Sequence, residues 1–193
     1  MAHYFTNDNV KSDEKLIKVK IKNQDYSFYV DNGVFSKRGL DFGTRTLLEN
    51  LDLENIKGKI LDFGCGYGPI GIFLSKNLNV TVDMIDINKR SLNLAKKNSV
   101  LNNAKTNIFE SDIYQNITEK YDFIITNPPI RVGKKVLYEI LFGAYDYLND
   151  NGQMIIVVNK DQGAKSLIRD LEDKYKVSVI NKSKGFYVIS MAK

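Results

Sequence analysis

Between Leu16 and Val30 apolar and polar positions alternate. Ile17, Val19 and Ile21 lie on one side of a polar "NQD", and Tyr26, Phe28 and Val30 on the other. Two short runs of period two about a polar break predict a β-hairpin. "FGTRTLLENLDL" then predicts a short helix. After Gly58 the pattern changes. Apolar runs recur at "KILDFG", "VTVDMIDI", "TNIFES", "YDFIITN" and "GQMIIVVN", separated by helical stretches such as "KRSLNLAKKNSVLNN", "KKVLYEILFGAYDYL" and "GAKSLIRDLEDKY". Strand–helix alternation of this kind implies a parallel sheet with helical crossovers. The end of the chain differs, because "KVSVIN" and "GFYVISMA" are separated only by "KSK" and Gly185. That spacing predicts an antiparallel terminal hairpin and a mixed sheet. The expected fold is α/β and Rossmann-like, mostly parallel with an antiparallel C-terminal hairpin. A small N-terminal hairpin and helix precede it.

At 193 residues the expectation is one domain, 1–193, burying roughly 70% of its unfolded surface. The first hairpin is too small to hold a core of its own, so 1–58 is expected to pack as an extension on a core of 59–193. No apolar run approaches the roughly 20 residues of a membrane helix, and "MAHYFTNDNVKSDEK" does not resemble a signal peptide. The single cysteine, Cys65, fits a reducing cytoplasm, and the single histidine is His3. A transition-metal site and a His-based triad are therefore not expected. Charge is uneven: acids and bases cancel over 1–58, so the net +5 belongs to 59–193. Arg131, Lys134 and Lys135 stand in an acid-free stretch, as do Lys176, Lys182, Lys184 and Lys193. A basic edge of this kind attracts phosphates, although a solvated lysine-rich surface has the same composition.

Three short segments carry candidate chemistry. "LDFGCGYGPIG" follows the first core strand. Gly64, Gly66 and Gly68 permit a tight turn that a ligand can approach closely, and Pro69 suits the first turn of a helix. Asp86 ends the second core strand, where a ribose hydroxyl would be gripped. Gly66, Gly68, Gly71 and Asp86 also satisfy the dinucleotide pattern, so the turn alone leaves the adenosine-containing cofactor open. Asp62 beneath the turn suits a cationic amino acid portion better than a pyrophosphate. The third segment is "TNPPIRVGK", which holds two of the three prolines in the chain. Proline pairs also simply end strands. Here Pro129 restricts Pro128 to extended geometry, which aims a carbonyl in a fixed direction beside the Asn127 side-chain oxygen. Two acceptors so placed can hold an exocyclic amine and draw its delocalised lone pair towards tetrahedral geometry.

With these residues in view, the chain resembles the class I S-adenosylmethionine-dependent methyltransferases, and among them the small-domain ribosomal RNA guanine-N2 methyltransferases. The resemblance rests on "GVFSKRGLDFGTRTLL", "LDFGCGYGPIG", "IDIN", "SDIY", "TNPPIRVGK" and "GFYVIS", and spans roughly residue 16 to the end. It implies that Asp62, Gly64 and Gly66 cradle the methionine part and that Asp86 binds the ribose. Asp112 and Ile113 would hold the adenine edge and Ile87 its face. Asn127, Pro128 and Pro129 would hold the acceptor amine, while Phe35, Asp41 and Thr44 close the pocket.

Two departures stand out. Amino methyltransferases commonly have an aromatic residue after Asn-Pro-Pro to stack on a flipped base, and this chain has Ile130. Phe35 is the stacking candidate from sequence, with Arg131 and Lys134 as phosphate contacts. Some relatives also carry a second, degenerate copy of the domain, which is not found in this sequence. The expected reaction is methyl transfer to an exocyclic amine, with guanine N2 of ribosomal RNA, free or in a ribosomal particle, as acceptor. Adenine N6 or a protein glutamine amide are the nearest alternatives. A nicotinamide oxidoreductase and a catalytically silent RNA-binding module are the options from other classes.

Overall fold

A computed structural model describes residues 11–34, 39–129 and 132–193. The chain begins with β1 (Lys15–Ile21) and β2 (Gln24–Val30), a two-stranded antiparallel sheet, followed by α1 (Phe42–Asn50). The turn is not the "NQD" that composition favoured. Lys22 and Asn23 form it, both at positive φ, and Gln24 and Asp25 already belong to β2. Two left-handed residues give the turn a twist that matches the strands it joins, which outweighs the polarity of Gln24 and Asp25.

The core alternates as the pattern predicts: β3 (Ile60–Phe63), α2 (Pro69–Leu78), β4 (Val82–Asp86), α3 (Lys89–Leu101), β5 (Thr106–Glu110), β6 (Tyr121–Thr126), α4 (Lys134–Tyr147), β7 (Leu148–Asn159), α5 (Ala164–Leu171), β8 (Lys176–Ser183) and β9 (Phe186–Ala192). Seven strands form one sheet in the order β5-β4-β3-β6-β7-β9-β8. The first five are parallel, and β9 pairs antiparallel with both β7 and β8. Lys184 and Gly185, both at positive φ, make the last turn, so Lys182 and Ser183 lie in β8 instead of the expected loop.

Alternation along the strands divides the core between the two faces. Ile60, Ile125, Ile155, Val157 and Val188 pack with the N-terminal hairpin, α1, α2 and α3. Leu61, Ile124, Met154, Ile156, Val158 and Ile189 pack with α4 and α5. Period-two burial on both faces is what helices on either side of a parallel sheet require.

The hairpin is fastened to α3 by two asparagines. Asn98 Oδ1 accepts from Tyr29 N at 2.6 Å and its Nδ2 donates to Tyr29 O at 2.9 Å. Asn102 does the same to Ser27, at 3.3 and 2.7 Å. Residues four apart on a helix rise about 6 Å and residues two apart on a strand about 6.6 Å, so the two amides meet alternate residues of β2 and stand in for a third strand. Asn98 Nδ2 also donates to Tyr67 O at 2.8 Å, which ties the hairpin to the glycine turn.

Candidate active site

A cavity of about 630 Å³ opens beyond the carboxyl ends of β3, β4, β5 and β6. It lies where the strand order reverses between β3 and β6, the place at which open α/β sheets bind ligands. Residues 64–67, 85–88, 111–113 and 127–129 line it from the core, and 41–44 from the N-terminal extension.

The glycine turn is closed onto the end of β4. Cys65 N donates to Ile85 O at 2.8 Å, and Gly66 N donates to Asp86 Oδ2 at 2.9 Å. Gly64 and Gly66 have φ of 67° and 57°, and a Cβ on either would meet nothing within 4 Å. Their backbone therefore faces open space that a ligand can fill. Gly68 and Gly71 differ: a Cβ on Gly68 would lie 3.0 Å from Ile72 Cδ1, and one on Gly71 only 2.6 Å from Met84 Sδ. These two permit helix α2 to pack against β4, and neither lines the cavity. Gly68, expected at the cofactor, is thus a packing residue.

Asp86 lines the cavity, with Oδ1 accepting from Asn88 N at 2.8 Å. Burial raises its pKa, opposed by hydrogen bonds from the backbone of Asn88, Gly66 and Ile87. Backbone N–H groups of Gly66, Ile87 and Asn88 take part of its lone-pair capacity, and the remainder is open to a hydroxyl. Asp62 lies beneath the turn, as the sequence pattern implied, but does not line the cavity. It is fully buried behind the cavity wall, with Oδ2 accepting from Gly71 N at 2.8 Å. Burial pushes its carboxyl up to about 8, against the opposing pull of the Gly71 N–H and with the Asp86 charge adding to it. Buried and outside the cavity lining, Asp62 supports the turn from beneath through the Gly71 N–H.

Asp112 and Ile113 follow β5 and line the cavity together with Ile87. Ile113 has φ of 49°, an uncommon conformation for a β-branched residue and one that costs about 1–3 kcal/mol. Ser111 holds it there, donating from Oγ to Ile113 O at 3.0 Å. Strain of this kind concentrates at ligand sites.

Asn127 follows β6. Its Nδ2 donates to Thr44 Oγ1 at 2.9 Å and to Asp41 Oδ1 at 3.1 Å. An amide nitrogen carries two hydrogens, so both are used. The opposite orientation would set the amide oxygen against a carboxylate oxygen, hence the Asp41 carboxylate fixes which end faces the cavity. The Asp41 Oδ1 atom also accepts from Thr44 N at 2.9 Å, capping helix α1. One carboxylate thus starts the helix and orients the amide. Pro128 and Pro129 line the cavity next to it, and Val132 N donates to Pro129 O at 3.3 Å to turn the chain away.

Among the described residues three buried side-chain atoms lack a partner: Asp62 Oδ1, Tyr67 Oη and Thr126 Oγ1. All three belong to the segments that end β3 and β6 around this cavity. Of the three, only Tyr67 belongs to a residue that lines the cavity; Asp62 and Thr126 lie behind its wall.

Of the other expected contacts, Lys134 does not line the cavity. It is 74% exposed, 3.8 Å from Asp170 and 4.7 Å from the Tyr138 ring. Phe35, Ile130 and Arg131 lie outside the described residues, as does His3. Sequence reasoning passed over Phe42, Gln162 and Phe186, which also line the cavity. Gln162 and Phe186 are distant in sequence, brought there by the return of β9 beside β7, and no local pattern marks them. Among the described residues no three His, Cys, Asp or Glu side chains gather as for a metal, and no helix is long and apolar enough to cross a membrane.

Fold and cavity together define a methyltransferase of the Rossmann-like class: a sheet in this order, an acid ending its second core strand and Asn-Pro-Pro ending its fourth. The chain belongs to the methyltransferase small domain family, whose model it matches over residues 25–190. It is 40% identical to the Bacillus subtilis protein YbxB, itself uncharacterized, over 99% of this chain and 98% of that one. It is 42% identical to the Vibrio parahaemolyticus ribosomal RNA small subunit methyltransferase C over 66% of this chain and 38% of that one. Among solved structures it is similar to a T. thermophilus 16S rRNA N2 methyltransferase in complex with AdoMet and guanosine. That match has a TM-score of 0.84 at 26% identity and covers 95% of this chain and 52% of the other. The chain spans about half or less of the length of these ribosomal RNA methyltransferases.

Proposed function

We propose that this chain transfers a methyl group from S-adenosylmethionine to the exocyclic N2 of guanine in ribosomal RNA. One observation carries the reading: Asp41 and Thr44 take both hydrogens of the Asn127 amide, so its oxygen is the end offered to the cavity. That oxygen and the Pro128 carbonyl form a rigid pair of acceptors, suited to the two hydrogens of an aromatic amine. The named relatives support guanine in ribosomal RNA as the acceptor.

The cavity suits the methyl donor. Open backbone at Gly64 and Gly66 would take the methionine part, Asp86 would accept from a ribose hydroxyl, and Ile87, Asp112 and Ile113 would frame the adenine. When bound, S-adenosylmethionine supplies a methyl group on a cationic sulfonium, an excellent leaving group. Asn127 and Pro128 orient the amine, so that its lone pair points along the line of transfer. Transfer would form a nitrogen–carbon bond as the carbon–sulfur bond of the donor breaks, with the extra proton leaving the nitrogen for solvent. Positioning does most of the work, and no strong base is required of the chain.

The N-terminal extension completes the site, because Asp41 and Thr44 belong to it, and the whole acts as a single catalytic domain. The reading places the protein in the cytoplasm, where ribosomal RNA is found free or in ribosomal particles. Nucleoside mass spectrometry of ribosomal RNA tests it. Cells lacking this protein should lose N2-methylguanosine at one position, restored by the unaltered gene and not by one carrying Asn127→Ala. An unchanged nucleoside profile would count against the proposal.

A further inference from the structure

A guanine drawn out of a helix gives up its stacking and needs a flat surface in return. The position after Asn-Pro-Pro, Ile130, has no π face to offer. Among the described residues four aromatic ones line the cavity: Phe42, Phe63, Tyr67 and Phe186. Phe63 and Tyr67 are 4% and 2% exposed, held in the core against Tyr114 and Phe28. Phe42, 37% exposed, and half-buried Phe186 are the two with ring surface to give.

These two rings meet each other, 5.4 Å between centroids and tilted by 52°. They also meet the orienting machinery of Asn127. A Cβ built on Gly43 would stand 3.0 Å from Phe186 Cε1 and 3.2 Å from Asp41 Oδ1, the atom that holds the Asn127 amide. Gly43 sits within the first turn of α1, where glycine is less favourable than alanine, and the close approach of the ring accounts for it. Phe186 is the first residue of β9, paired with Asn159 of β7 and Ser183 of β8, so its ring stands on rigid sheet. Beside the pair, Lys184 Nζ lies 5.3 Å from the Phe42 centroid, a cation at the rim.

We propose that Phe42 and Phe186 form the aromatic wall against which the acceptor base lies, taking over the stacking that Ile130 cannot provide, with Lys184 meeting a flanking phosphate. This rests on the function proposed above and adds the surface that recognises a nucleobase instead of a small amide.

The unaltered protein and the variants Phe186→Ala and Phe42→Ala are compared in methyl transfer to a guanine-containing RNA oligonucleotide. Both variants should raise KM roughly tenfold or more, with S-adenosylmethionine affinity by calorimetry unchanged. Phe186→Leu retains apolar volume without a π face and should resemble Phe186→Ala, which separates stacking from packing. The chain contains no tryptophan, so Phe186→Trp introduces a single indole. Guanosine should quench its fluorescence when S-adenosylhomocysteine is bound, and should not quench the indole of Val100→Trp, on the exposed end of α3. Transfer by the unaltered protein with KM unmoved in both alanine variants, or an unquenched indole at position 186, would overturn the aromatic wall and leave the proposed reaction standing. An unaltered protein that methylates a glutamine amide and no RNA would overturn both.

Discussion

Asn127 has one orientation available, because Asp41 accepts and cannot donate. Asn127→Ala should leave S-adenosylmethionine affinity within about twofold and lower turnover by roughly 100-fold, the scale of losing one preorganised polar contact in a transition state. Thr44→Val removes one of the two acceptors that hold the amide. It should lower turnover less, with stability little changed. Single-turnover rates set beside calorimetry check both. Asp62 makes a different prediction. The folded chain keeps its proton up to about 8, whereas the unfolded chain releases it in the ordinary carboxylate range near about 4. Between those values the native state binds more protons than the unfolded one, so this residue makes stability fall as pH rises, with no further change above about 8. Asp62→Asn keeps an acceptor for Gly71 N–H and removes the titration, so thermal melts of the variant should show a flatter fall over that window. A melt series with the same slope in both proteins would return Asp62 to a charged role. At this scale the sequence exposed residues tied to local motifs, Gly64, Gly66, Asp86 and Asn127. It did not show that Asp62 and Gly68 stand back from the cavity, because which side of a strand or turn faces open space depends on the helix packed behind it.

Elements were legible wherever periodicity was unbroken, and least legible at turns. Lys22–Asn23 and Lys184–Gly185 both use two left-handed residues. In each case polar neighbours made the loop look longer than the twist of the strands allows. The fastening of β2 onto α3 left no trace in the pattern, since "KKNSVLNN" simply continues a helix. Yet Asn98, with no exposed surface, binds backbone atoms of both Tyr29 and Tyr67. Asn98→Ala would leave those groups unpaired in a closed interior, at a cost of about 1–3 kcal/mol. Urea denaturation should report that loss. Because the same side chain ties the hairpin to the glycine turn, cofactor affinity should weaken as well. A variant as stable as the unaltered chain would mean that water replaces the amide.

For the whole molecule, the mostly parallel sheet with its antiparallel end and the place of the cavity followed from strand–helix alternation, whereas the strand order and the assembly of the acceptor side did not. That side draws on α1, β6 and β9, which are far apart in sequence, and the return of β9 between β7 and β8 is what brings Phe186 to Asp41. Charge acts at this scale too. Lys184 sits at the cavity rim, and Lys134 is paired with Asp170 yet mostly exposed. If RNA is the substrate, log affinity should fall linearly with log salt, and each lost phosphate contact should reduce the slope by roughly 0.7–0.9. Lys184→Ala should therefore flatten the dependence by about one contact, and Arg131→Ala with Lys134→Ala by up to two, with S-adenosylmethionine affinity unchanged. Filter binding across a salt series decides this, and a salt-independent affinity in the unaltered protein would point to a protein substrate.

The central claim is that the amine held by Asn127 and Pro128 is guanine N2. Purified protein, tritiated S-adenosylmethionine and ribosomal RNA, free and in ribosomal particles, test it in one measurement when the RNA is digested to nucleosides and the label is separated by chromatography. Tritium is expected in N2-methylguanosine and is expected to be absent with Asn127→Ala. Label in N6-methyladenosine, or in a protein glutamine with none in RNA, would contradict it.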